Sequence, residues 1–176
     1  PINIKKHFLS KFLSAIITVC VSIVVTLISV IIMYLNKDNL EILKQSFNIL
    51  SDSINGSLTL LIILMVMTVL LEVIFIIMVG FIGIVIGYSS NNKKLLKSVL
   101  IGLGAFYVCN SITVVGLLLS TVVSKDMYNI LFIPNTPIEY SFVCIIMALA
   151  SIIYIVYIII LYILSAKYLQ KGINID

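Results

Sequence analysis

Few side chains in this sequence have both the type and the placement to do chemistry. The most conspicuous is Glu72, an acid in the middle of a long apolar run. An ionised carboxylate at the centre of a bilayer costs a few kcal/mol on insertion scales, so an acid there is by default a functional site, facing a bundle interior or a wet cavity. A structural reading competes: if the helix breaks before Glu72, the carboxyl lies in a water-filled outer vestibule and serves packing or hydrogen bonding. Asn110, Ser111 and Thr113 in a later run could offer hydrogen-bond partners across helices, each contributing under about 2 kcal/mol. The lone His7 stands among lysines with no nearby carboxylate or second ligand, the pattern of a solvated surface group. Cys20, Cys109 and Cys144 all lie in apolar runs without CxxC spacing, so they read as small hydrophobes and suggest neither a disulfide framework nor a metal site. The sequence contains neither a GxxxxGK[ST] phosphate loop nor an HExxH metal motif. The expectation is a chain that is no enzyme, with no catalytic residues and no metal or cofactor of its own.

The elements that would hold these residues follow from composition. Of the 176 residues 62 % are hydrophobic and only 10 % are charged, against about a quarter charged in soluble domains. Four stretches reach the roughly 20 apolar residues that cross about 30 Å of hydrocarbon. They are Phe12 to Leu35, Leu58 to Tyr88, Leu100 to Val123 and Ser141 to Leu164. Runs such as Ile152 to Leu164 are apolar all round, with tyrosines as the only polar handles, which points to helices facing lipid. Sustained two-residue alternation is missing, which argues against a barrel of strands. The predicted fold class is therefore all-α: one polytopic transmembrane bundle over residues 1–176.

The connections suggest an orientation. Lys5, Lys6 and Lys11 precede the first span, Lys93, Lys94 and Lys97 separate the second from the third, and Lys167 and Lys171 follow the fourth. The other two connections mix lysines with Asp38, Glu41, Asp52, Asp126 and Glu139. Lysines near span ends collect on the cytoplasmic side, so the pattern predicts both termini inside. The net charge of +4 is thus a topology signal, and with no arginine present it does not read as a nucleic-acid surface.

The second stretch, at about 46 Å of helix, is too long for one upright crossing and must tilt, break or project. Gly80, Gly83 and Gly87 lie in its cytoplasmic half, and Gly83 with Gly87 forms a small-xxx-small pair suited to close helix packing or a hinge. Between the first two spans, Leu40, Ile42, Leu43, Phe47 and Leu50 mark a short amphipathic helix at the outer surface. Pro134 and Pro137 interrupt any continuous helix before the fourth span.

The order of these features resembles a known family. PINIKKHFLSKFLSAIITV is similar to the segment of type-2, exporter-type ABC transporter permeases in which a cytoplasmic Leu-Pro-[Val/Ile]-Ser-like stretch leads through a lysine into the third membrane helix, with Pro1, Ile2, Asn3, Lys11 and Phe12 in those places. The stretch LLEVIFIIMVGFIGIVIGYSSNNKKLLKSVLIGLGAFYV resembles the family's fourth helix, basic turn and fifth helix, with Ile86, Gly87, Tyr88, Asn91, Asn92, Lys93 and Lys94 on the pattern. YILSAKYLQKGINID looks like the terminal helix and its lysine-containing tail.

The resemblance implies a permease in a bacterial cell membrane, here represented by the last four of six spans. It would form an export pathway with a second permease chain and take its energy from a separate ABC ATP-binding subunit that holds the ATP. Pro1, Ile2, Asn3, Lys5 and Lys6 would then contact that subunit, Glu72 and Asn110 would be interior polar groups of the pathway, and Gly80, Gly83 and Gly87 would pack or hinge. The alternative from another class is a small partner-binding or immunity-type membrane protein with no transport cycle of its own.

Overall fold

The computed structural model describes residues 4–34, 36–54, 56–90, 92–134 and 139–170. Pro1, Ile2, Asn3, Asn91, Asn135, Pro137 and the side chain of Lys5 lie outside the described residues. Six helices follow one another: α1 Ile4–Tyr34, α2 Lys37–Ser53, α3 Leu58–Tyr88, α4 Lys94–Val123, α5 Lys125–Phe132 and α6 Tyr140–Gln170. Four of them, α1, α3, α4 and α6, are long and apolar enough to cross a membrane. The chain is a multi-pass membrane protein of the all-α class, as its composition predicts.

Local chemistry sets the helix ends. Ser57 caps α3 by accepting from the Leu60 N–H, Asn36 caps α2 by accepting from Asn39, and Ser124 caps α5 by accepting from Met127. Each side-chain oxygen satisfies an N–H that the first turn leaves without a partner. The lysine-rich turn between α3 and α4 is tight, and Lys93 adopts a left-handed φ of 53° to make it. Three helices extend past the apolar runs that define their spans: α1 begins at Ile4, α4 at Lys94 and α6 ends at Gln170. Helical pairing of the backbone continues into polar segments because a helix satisfies its own N–H and C=O groups on both sides of the bilayer boundary. Helix α5 was not foreseen; its eight residues sit between the Ser124 cap and Pro134.

The packing centres on α3, which lies between α4 and α6. Phe75 and Met78 are almost wholly buried, with Val79, Ile82 and Val85 continuing the same core toward the lysine-rich end. Helices α3 and α6 run parallel: the Tyr140 hydroxyl donates to the Ser57 carbonyl (2.9 Å) at one end, and Phe81 and Tyr162 both meet Phe8 at the other. Helix α1 joins only there. Phe8 and Phe12 set their rings edge-on to Phe81, whereas from Cys20 to Tyr34 every residue but Ile23 is exposed.

Helices α3 and α4 approach each other closely. A Cβ added to Gly83 would lie 2.6 Å from the Ser98 carbonyl oxygen and 3.0 Å from Gly102 Cα, and one added to Gly87 would lie 2.5 Å from Ser98 Cα. Gly83 and Gly87 therefore pack on Ser98 and Gly102, two small-xxx-small pairs facing each other across antiparallel helices. Lipid tails are as apolar as the side chains, so association in a bilayer rests on such close van der Waals contact.

Candidate functional site

The candidate site is the middle of α3, where the helix is unbroken. Glu72 is the fifteenth of 31 residues in α3, and Tyr154 is the fifteenth of 31 in α6, which places both about 21 Å from the start of their helices at 1.5 Å per residue. The helix does not break before Glu72, so the carboxylate belongs to the middle of a continuous α3. The Tyr154 side chain is its polar neighbour on α6. Because α3 and α6 are parallel and in register, residues equally far along them meet.

One turn before Glu72, Thr68 Oγ1 lies 3.0 Å from Ser151 Oγ and 3.3 Å from the Met147 carbonyl. Toward the lysine-rich end, Phe75 packs on Phe106, Tyr154 and Tyr157. Tyr157 then crosses to α4: its hydroxyl lies 3.0 Å from Thr113 Oγ1 and donates to the Cys109 carbonyl at 3.0 Å. Threonine and serine hydroxyls here also bond to the carbonyl one turn back in their own helix, which keeps them satisfied in a medium without water.

Thr68, Glu72, Phe75 and Val79 share one face of α3, following i, i+4, i+7, i+11 spacing. Thr68 and Phe75 are covered to different degrees by α6 and α4, yet Glu72 between them is exposed. The reason lies in α4. From Asn110 to Leu119 only Thr113 is part-buried, so beyond Cys109 the helix no longer closes over α3. Glu72 consequently opens toward the space that α4 leaves, on the half of the bundle away from the lysines.

Of the residues singled out in the sequence, Glu72 acquires a polar neighbourhood, and Gly83 and Gly87 make the close contact with α4. Gly80 faces open space, with nothing within 4 Å of an added Cβ, and serves no close approach among the described residues. Asn110 is exposed, and its amide donates to the carbonyl of Phe106 in its own helix at 2.9 Å; no hydrogen bond among the described residues joins it to Glu72. Thr113 does bond across helices, and its partner is Tyr157. Tyr154, Ser151, Thr68 and Ser98 were not foreseen. Their signal was present as spacing: Thr68 with Glu72 at i, i+4, Ser151 with Tyr154 at i, i+3, and Ser98 with Gly102 at i, i+4.

Among the described residues no group of three His, Cys, Asp or Glu side chains converges to hold a metal ion. The three cysteines are free. Comparison with models of known protein families, with curated proteins and with solved structures finds no match to this chain.

Proposed function

We propose that this chain is a membrane-spanning permease subunit of an ATP-driven ABC exporter, lining the substrate pathway with a second permease chain and coupled to a separate ATP-binding subunit. The observation that carries the reading is the exposed Glu72 carboxylate at mid-depth on the polar face of α3. A charged group in that position is costly against lipid and inexpensive against water or a polar partner. A bundle that leaves it uncovered is therefore one wall of something larger. The resemblance of the α3–turn–α4 segment and the chain's ends to type-2 permeases supplies the identity of that assembly.

In this account the chain does no covalent chemistry and is not itself an enzyme. Its lysine-rich end lies in the bacterial cytoplasm, where the first residues and the tight turn face the ATP-binding subunit. The glycine-packed α3–α4 pair is the stiff element, since its backbones touch. Helix α1 is the mobile one, held among the described residues by Phe8, Phe12 and Ile16 toward that same end. ATP-driven motion applied there would swing α1 against the α3–α4–α6 core and alternately open and close the polar face around Glu72. Glu72 is assigned a binding role in the pathway, with Tyr154 as a positioning residue that orients its carboxylate.

The test is purification of the protein, tagged after Asp176, in mild detergent from its native host, with identification of what co-purifies. A stoichiometric ATP-binding subunit that hydrolyses ATP is the expected result. Recovery of the chain without such a subunit after cross-linking overturns the exporter and leaves the partner-binding membrane protein.

A further inference from the structure

Helix α2 is the most amphipathic long segment of the chain and takes no part in the core. Apart from Asn39, each of its side chains from Asp38 to Asp52 is exposed. At 100° per residue, which follows from 3.6 residues per turn, Ile42, Ile49, Leu50, Leu43, Phe47 and Leu40 fall within one half of its circumference. Lys37, Asp38, Glu41, Lys44 and Asp52 all fall in the other. At 17 residues it is about 26 Å long, short of the roughly 30 Å hydrocarbon layer, and five charges exclude it from the interior.

The corner with α1 tells which way the apolar half points. Asn39 Nδ2 donates to the Tyr34 carbonyl (2.9 Å), the Asn39 N–H donates to Asn36 Oδ1 (2.9 Å), and the Asn36 N–H donates to Tyr34 (2.9 Å). These bonds fix α2 against the end of a membrane-spanning helix. Asn39 lies in the middle of the apolar half, between Ile42 on one side and Leu43 and Leu50 on the other. Since its side chain reaches back to α1, that half faces the bilayer side of the corner.

From this geometry we infer that α2 is a lipid-binding paddle, bedded in the headgroup region of the leaflet into which α1 emerges and from which α3 departs. The occupant of its apolar face is lipid because that face continues the lipid-facing surface of α1 around a clamped corner. Two lysines against three acids give α2 a net charge of −1, so it needs no anionic headgroup and beds in zwitterionic lipid through apolar contact. Clamped to α1 at the Asn36–Asn39 corner, α2 holds the end of α1 at a fixed depth.

The sequence contains no tryptophan, which makes a single introduced indole an unambiguous reporter. The full chain carrying Leu43→Trp or Gln45→Trp is reconstituted in phosphatidylcholine vesicles, with and without lipid brominated at the 6,7 acyl positions. Leu43→Trp is expected to emit at shorter wavelength and lose about half its intensity to bromolipid, consistent with insertion of 5–10 Å below the surface. Gln45→Trp, on the charged half, is expected to ignore bromolipid and be quenched by aqueous iodide. Raising the salt should leave both signals unchanged, since apolar contact is not screened. Iodide quenching of both reporters without bromolipid quenching would show α2 in water and overturn the inference. Blue-shifted Leu43→Trp emission that resists both quenchers would place protein on that face, a second copy or a partner, and overturn it equally.

Discussion

Substituting Gly83 by alanine inserts one methyl group where α3 and α4 pack backbone to backbone. The new Cβ would lie 2.6 Å from the Ser98 carbonyl oxygen, against the 3.4 Å at which ordinary contact begins, so the two backbones must part by 0.8 Å there. The obstacle is backbone and cannot rotate away, as a side-chain end could. Parting helices that associate by close contact weakens every neighbouring pair, and overpacking of this kind costs about 1–3 kcal/mol. Gly80→Ala, in the same helix and facing open space, isolates the effect of the methyl group itself; it should leave stability unchanged or raise it by under about 1 kcal/mol through helix propensity. The assay is unfolding of the purified protein in mixed micelles of mild detergent and dodecyl sulfate, followed by loss of helical circular dichroism. Equal midpoints for Gly83→Ala and Gly80→Ala would refute the claim that α3 and α4 touch at Gly83.

Three further consequences are open to measurement. Removing the Tyr157 hydroxyl with Tyr157→Phe deletes the bond to Thr113 across α4 and α6 and should cost about 0.6 kcal/mol, at most about 1.7; adding Thr113→Val should cost less than the sum of the single changes, as a double-mutant cycle in the same unfolding assay would show. Phe81→Ala removes the ring on which Phe8 and Phe12 both rest, so the midpoint in the same assay should fall by an amount corresponding to about 3 kcal/mol. Lys93→Asn should raise the unfolding midpoint by an amount corresponding to under about 1 kcal/mol, because asparagine tolerates the left-handed backbone of that turn better than lysine.

The legible part of the fold was the part governed by solvent. Lipid demands long apolar helices, and the four spans and their order follow from hydropathy alone; that the second span runs unbroken for 31 residues is a finding of the structure. The α2 helix was readable only from a weak apolar period that left a partly ordered loop as the alternative, and the structure shows the helix over Lys37–Ser53. What could not be read was set by packing. The lysine-rich ends of α1 and α4 are helical because the backbone pairs with itself whatever the side chains, and α5 forms from a cap and eight residues that carry no sustained period. The site shows the same division. An acid in a span is conspicuous, so Glu72 stood out, but Tyr154 is its neighbour because α3 and α6 run parallel and in register, a fact of tertiary arrangement. Gly83 and Gly87 stood apart from Gly80 in the sequence as a small-xxx-small pair, and the phase of α3 against α4 adds that this pair faces Ser98 and Gly102. Thr113 and Asn110 diverge for the same reason: a turn of about 60° around α4 decides which reaches Tyr157.

The central claim is that Glu72 borders a polar pathway and not lipid. The most direct measurement is the reactivity of Glu72→Cys, in a background with Cys20, Cys109 and Cys144 replaced by alanine, toward a membrane-impermeant thiol reagent in native membranes. Val66→Cys serves as the reference: it is exposed on a different face of α3 and lies nearer the start of the helix, so depth alone would favour its labelling. Thiolates form in water and not in hydrocarbon. The account predicts that Glu72→Cys is labelled and Val66→Cys is not. Labelling of Val66→Cys alone, or of neither, would contradict it.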